Sequence, residues 1–317
     1  MNDSLSIILT AGLVATAAGL LGPFLVLRRV ALMSDAVSHA VLPGILVVFL
    51  AFGTRSPLPV ILGAGVFAIV CVLAIDALKA TNLVKSDAAI ALVFPALFAL
   101  GVIGITRYAG DVHLDLDSTI YGEIAFSPFT TVSLFGLEIA RSIVLLGAVA
   151  AFNLMLVTLL WKEIKVTTFD PEFSRTIGIS PVLLSRMLLI AVAITAVTAF
   201  ESVGAILVVT MLIVPAATAY LLTDRLWVMV AFTLAIGWIS AIGGHTAAIG
   251  IDASIAGAMG LVAALCFALA LFVSPRYGLL ARAHQRRRQQ RRTRTALEGP
   301  RTAPEGPPTA SGAGQPA

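Results

Sequence analysis

Long apolar runs separated by short polar breaks make up most of this chain. They fall at about 5–27, 36–53, 57–78, 87–106, 131–160, 187–200, 203–222, 227–247 and 253–273. Most approach the roughly 20 residues that a helix needs to cross about 30 Å of hydrocarbon. The pattern therefore predicts membrane-spanning helices. Nine membrane spans follow, within a range of eight to ten. The stretch 131–160 is too long for one straight span and carries Glu138 and Arg141, which predicts an interfacial or re-entrant segment at its start. Glu201 is placed at the opening of the seventh span.

Composition agrees with the pattern. Of 317 residues 59% are hydrophobic and 12% charged, where an ordinary globular domain is about a quarter charged. The fold class expected is an all-α, polytopic integral membrane protein. No basic n-region precedes the first apolar run, so a cleavable signal peptide is not expected. Cys71 and Cys266 each lie inside an apolar run and read as small filler rather than a disulfide framework.

Charge fixes an orientation. With nine spans and the C-terminus inside, only Arg55, Arg107 and Arg141 of the 21 basic residues fall outside, as the positive-inside bias demands. The N-terminus is therefore expected outside. The net charge of +4 hides an uneven distribution, because eight arginines lie between Arg282 and Arg301. This divides the chain into a transmembrane domain over 1–280 and a basic, Pro/Gly-rich, disordered cytoplasmic tail over 281–317. So close to a final span, the arginines suit anionic lipid better than nucleic acid, and no nucleic-acid partner is expected.

Candidate chemistry begins at residues 33–44, MSDAVSHAVLPG. On a helix Asp35 and His39 share a face. If the cytoplasmic boundary lies near Arg28 and Arg29, His39 sits about 16 Å deep, near the midplane. An unpartnered carboxylate at the centre of a span costs about 2.5–3.5 kcal/mol, which marks a functional position. Pro43 is expected to kink the helix there and to release the His39 carbonyl. Three readings fit: a structural pair joining helices, a proton relay, or a transient divalent-metal site. Carboxylate plus imidazole without thiolate suits Mn²⁺, Fe²⁺ or Zn²⁺, and two ligands bind weakly enough to release an ion in transit.

Other polar groups are weighed the same way. His245 and Asp252, in GGHTAAIGID, are possible further ligands, with a loop role as the alternative. DVHLDLD, with Asp111, His113, Asp115 and Asp117, is an outer loop that either attracts cations or is simply solvated. On the inner side, Asp170–Pro171–Glu172 has the form of a helix start, an N-cap acid followed by proline at the first position, and Gly178 is a stop. A short helix of about two turns is expected there, either an ordinary loop helix or a docking element.

In MSDAVSHAVLPG, KSDAAIALVFPALFALGVI (85–103), YAGDVHLDLDSTIYGEIAF (108–126), TTFDPEFSRTIGI (167–179) and VGAILVVTMLIVPAATAYLLTDR (203–225) the chain resembles the permease subunits of ATP-binding-cassette importers for manganese, zinc and iron. The likeness runs over about 5–280. SHAVLPG joined to YAGDVHLD resembles the manganese-type members; Ser34 stands where the family has glycine, and IDASIAG keeps the family's later pattern loosely. The resemblance implies import of a divalent metal, Mn²⁺ first with Zn²⁺ or Fe²⁺ as alternatives, across a bacterial cytoplasmic membrane by alternating access. It implies no permanently bound cofactor, a second permease subunit with the ion path between the two, two cytoplasmic ATP-binding subunits and an extracytoplasmic metal-binding protein. The segment from Asp170 to Gly178 would be the coupling helix. The chain has no GxxxxGK[ST] sequence, so it is expected to be a transport subunit and not an enzyme. A proton-coupled secondary carrier is the alternative class, and an intramembrane metalloenzyme is disfavoured because HExxH is missing.

Overall fold

The computed structural model describes residues 3–40, 42–53, 57–108, 124–134 and 137–274. Asp111, His113, Asp115 and Asp117 of the expected outer loop, and the tail 281–317, lie outside the described residues. The fold is all-α apart from one short hairpin. Its helices are α1 Asp3–Leu27, α2 Ala31–His39, α3 Leu42–Phe52, α4 Pro57–Ala80, α5 Ser86–Tyr108, α6 Arg141–Leu159, α7 Trp161–Phe169, α8 Pro171–Thr176, α9 Pro181–Val203, α10 Ala205–Leu222, α11 Leu226–Ile251 and α12 Ile255–Val273. A 3-10 turn, Ile124–Phe129, precedes the hairpin, in which Thr131–Leu134 pairs antiparallel with Leu137–Ala140.

Among the described residues eight helices are long and apolar enough to cross a membrane: α1, α4, α5, α6 and α9 to α12. The remaining expected span, 36–53, is not one helix: it takes in the end of α2 and all of α3, and neither is long enough to be a candidate span. The early part of 131–160 is the hairpin rather than an interfacial helix, and α6 starts at Arg141. The span expected over 187–200 extends over Pro181–Val203, because Ser180 caps it by accepting from Leu183 N and Pro181 takes the first helical position. Glu201 therefore lies in the last turn of α9, and Gly204 alone separates that helix from α10.

The bundle is organised around α1, which packs against α6, α10 and α11. Its buried side carries small residues, Ala11, Ala15 and Ala18 among them, beside larger ones such as Leu21 and Phe24. In lipid no hydrophobic force drives helices together, so close van der Waals approach carries the association. A second group, α2 to α5, packs on the other side of α9. Within it α3 lies on α4 and α5 at glycine contacts. A Cβ on Gly44 would collide with the Gly63 carbonyl oxygen of α4, and one on Gly104 of α5 would collide with Leu46. Lys79, near the far end of α4, reaches Met33 of α2. The pair α2–α3 therefore lies along α4, with contacts near both of its ends.

The Gly44 contact is directly testable. Gly44→Ala is expected to destabilise the detergent-solubilised protein by about 1–3 kcal/mol through overpacking. Gly65→Ala, where an added Cβ meets nothing within 4 Å, is expected to leave the thermal midpoint unchanged or slightly raised. Equal midpoints for both variants would contradict the packing described.

Candidate metal site and docking elbow

The candidate metal-bearing helix starts from an abrupt turn. After Leu27 the chain closes α1 with Arg29 N donating to Val26 O and Val30 N donating to Leu25 O, while Arg29 takes φ +58°. This is the 6→1 and 5→2 pattern of a helix C-terminus, here with arginine in the left-handed region. Only α2 then climbs towards the break, so nine residues separate the turn from its end, a rise of about 13 Å. That is a few ångströms less than a helix running straight on from Arg28 would reach.

His39 is the last residue of α2 and is half-buried. Its imidazole lies between two phenylalanines, stacked at 5.8 Å on Phe200 of α9 and tilted at 5.7 Å against Phe94 of α5. Asp35 stands one turn earlier on the same helix, and its side chain lies outside the described residues. Pro43 sits in the first turn of α3, where its missing N–H costs no intrahelical bond. Pro43 thus stands at the start of a new helix rather than inside one, α2 ending at His39 with Ala40 as its C-cap. The imidazole at the end of α2 is thus packed against aromatic rings of α5 and α9. Low dielectric there makes any charge on an ion or ligand strongly dependent on its partners.

Among the described residues no three His, Cys, Asp or Glu side chains come within reach of one metal ion. His245 is buried on α11, which packs on α1, α10 and α12 rather than on α2, and neither ring nitrogen has a hydrogen-bond partner. Asp252 is exposed and ends α11 in the left-handed conformation, φ +52°. The structure brings neither residue to His39. Phe94 and Phe200 were missed from sequence because aromatic residues in apolar spans carry no periodic signal of a site.

The segment from Asp170 to Gly178 has the predicted local form. Asp170 Oδ1 accepts from Phe173 N at 2.9 Å, and Pro171 and Glu172 open α8. Gly178, at φ +81°, closes it while Ile179 N donates to Ser174 O and Gly178 N donates to Arg175 O. Asp170 also ends α7, so a single residue joins the two helices. Phe169, Phe173 and Ile177 are all about half exposed around this elbow, beside an exposed Arg175–Glu172 pair at 3.3 Å.

An all-α bundle with eight helices long and apolar enough to cross a membrane among its described residues is that of a polytopic membrane protein. The sequence pattern of the ABC 3 transport family matches residues 4–274, and the chain belongs to that family. It is 44% identical over 279 residues, 88% of this chain and 76% of the relative, to the zinc transport system membrane protein TroD of Treponema pallidum. It is 40% identical over 277 residues, 87% of this chain and 94% of the relative, to the manganese transport system membrane protein MntD of Bacillus subtilis. Among solved structures it resembles PsaBC from Streptococcus pneumoniae in complex with Fab, with a TM-score of 0.74 and 29% identity over 87% of this chain and 94% of that one.

The elbow gives a local prediction. Asp170→Ala removes the cap and is expected to cost α8 about 1 kcal/mol. Hydrogen exchange at the Phe173 amide should then accelerate by about fivefold, while amides in α9 keep their rates. Unchanged exchange at Phe173 would contradict the capping role.

Proposed function

We propose that this chain is the membrane permease subunit of an ATP-driven importer that carries a divalent transition-metal ion, Mn²⁺ before Zn²⁺, across the bacterial cytoplasmic membrane. The observation that carries this reading is His39, set at the end of α2 between Phe94 and Phe200, with Asp35 one turn before it. A neutral imidazole and a carboxylate suit a borderline or hard divalent ion. Two ligands hold it only transiently, and a second copy of the chain would supply the symmetric pair, giving two imidazoles and two carboxylates on the path between subunits. The aromatic walls would keep water from competing with these ligands.

Orientation belongs to the same proposal. Arg28, Lys79 and Arg186 cluster at the elbow end of the bundle, where Arg186 pairs with Asp76 at 3.0 Å. The positive-inside bias puts that end in the cytoplasm, with the N-terminus outside. The exposed apolar side chains around α8 then face the ATP-binding subunits, two in number, and an extracytoplasmic metal-binding protein delivers the ion from the opposite side. ATP hydrolysis belongs to those separate subunits. Zn²⁺ is a second reading, favoured by the zinc transporter among the similar relatives. Ligand chemistry alone favours zinc at most N/O sites, so selectivity for Mn²⁺ must come from geometry or supply.

The test is uptake of labelled Mn²⁺, Zn²⁺ and Fe²⁺ by cells carrying the wild-type chain, Asp35→Ala or His39→Ala at matched membrane abundance. Each substitution is expected to lower Mn²⁺ uptake by about tenfold or more, consistent with the loss of a metal ligand's contribution. Wild-type uptake in both variants would refute the site. Uptake of zinc alone would transfer the proposal to the second reading.

A further inference from the structure

Arg28 lies between the two parts of the machine described above. It follows the last residue of α1 and begins the turn that leads into α2, eleven positions before His39. Its side chain points away from both helices, onto α7. Nε donates to Thr168 Oγ1 at 3.0 Å, and Nη2 donates to Thr167 Oγ1 at 2.6 Å and approaches Ile164 O at 3.4 Å. The two threonines are themselves anchored: Thr168 Oγ1 donates to Ile164 O at 2.6 Å and Thr167 Oγ1 donates to Glu163 O at 2.8 Å. One turn earlier on α1, buried Phe24 meets Trp161 of α7 edge to face at 6.1 Å. A polar clasp and an aromatic contact thus fasten the end of α1 to α7 at two levels.

What α7 carries makes this arrangement informative. It runs into the docking helix α8 through Asp170 alone, and it is set off from α6 by the non-helical Leu160, φ −99° and ψ +19°. The elbow is therefore jointed to the helix before it and pinned to the root of the metal-bearing helix beside it. Burial pushes the Arg28 guanidinium's pKa below its ordinary value, although the group stays charged. A charge so placed depends on its acceptors.

We propose that Arg28 is a positioning residue that transmits movement of the α7–α8 elbow to α2, so that displacement of the docking helix shifts Asp35 and His39. This inference rests on the proposed function, in which α8 receives the ATP-binding subunits. Arg28 touches neither metal nor nucleotide. Its loss should separate two quantities that a purely structural residue would lower together: ATP hydrolysed and metal moved.

The experiment uses the complete complex of permease and ATP-binding subunits in proteoliposomes, with Mn²⁺ and its binding protein on the outer side, and counts ions transported per ATP hydrolysed. R28M is expected to keep hydrolysis within about twofold of wild type and to lower ions per ATP about tenfold, the loss of about one charge-assisted hydrogen bond. R28K, which keeps the charge but not the forked geometry, should recover part of the ratio. The T167V/T168V pair removes the acceptors without touching Arg28. It should lower the ratio as well, and should add little when combined with R28M, because the residues act as one unit. If R28M does not assemble, R28K and T167V/T168V carry the same comparison. An unchanged ratio in the variants overturns the proposal, as does a parallel fall of hydrolysis and transport with a lowered thermal midpoint. Wild-type complex that moves no metal in an ATP-dependent way overturns the functional reading beneath it, and is distinguishable because no substitution is involved.

Discussion

A helix cannot be interrupted in hydrocarbon unless its freed backbone groups are satisfied by protein or by a water-lined cavity. α2 ends at His39 and α3 starts at Leu42, and the packing around these two helix ends shows what such a constraint asks of the neighbours. Near its start, α3 is pressed against α4 and α5 through Gly44, Gly63, Gly101 and Gly104, where no larger residue fits without displacement. To shelter the end of α2, α5 and α9 bring Phe94 and Phe200 against His39. The helix ends and the candidate ligand His39 are therefore the same few residues.

The two groups of helices have different jobs under this constraint. The set around α1 is packed through small buried residues, and 72% of the apolar window of α1 is buried, compared with 17% for α5. Helices α4 and α5 keep large exposed apolar faces, among them Leu62, Val66, Leu92 and Ile103, as expected for surfaces that meet lipid or a neighbouring subunit. Between the two sets stands α9, which packs against α1, α2, α4, α6 and α10. One of its ends pairs Arg186 with Asp76 of α4, and the other places Phe200 at the candidate metal site.

The fold class was legible because length and hydropathy alone specify a spanning helix, and the cap at Asp170 and stop at Gly178 were legible because their chemistry is local. The division of 31–52 into two helices was less so. Pro43 announced a disturbance, but a proline is accommodated by a kink inside a helix or by a fresh start in the first turn of the next one, and the choice depends on neighbours that lie far away in sequence. The hairpin before α6 was hidden for a related reason, since TVSL and LEIA are short apolar runs that join smoothly onto a real span. At the site, Asp35 and His39 stood out as polar residues in an apolar run, whereas Phe94 and Phe200 look like any other span residue. The clasp at Arg28 was equally invisible: an arginine at a helix end reads as a topology signal, and its threonine partners lie about 140 positions away.

The central claim is that a divalent metal ion pauses at the end of α2. Crystals of the permease grown or soaked with Mn²⁺, with diffraction recorded on both sides of the manganese absorption edge, test it most directly. The account predicts an edge-specific anomalous peak within bonding distance of the His39 imidazole and the Asp35 carboxylate, and its loss in His39→Ala. A peak at His245 with none at His39, or a His39 peak that survives the substitution, would contradict it.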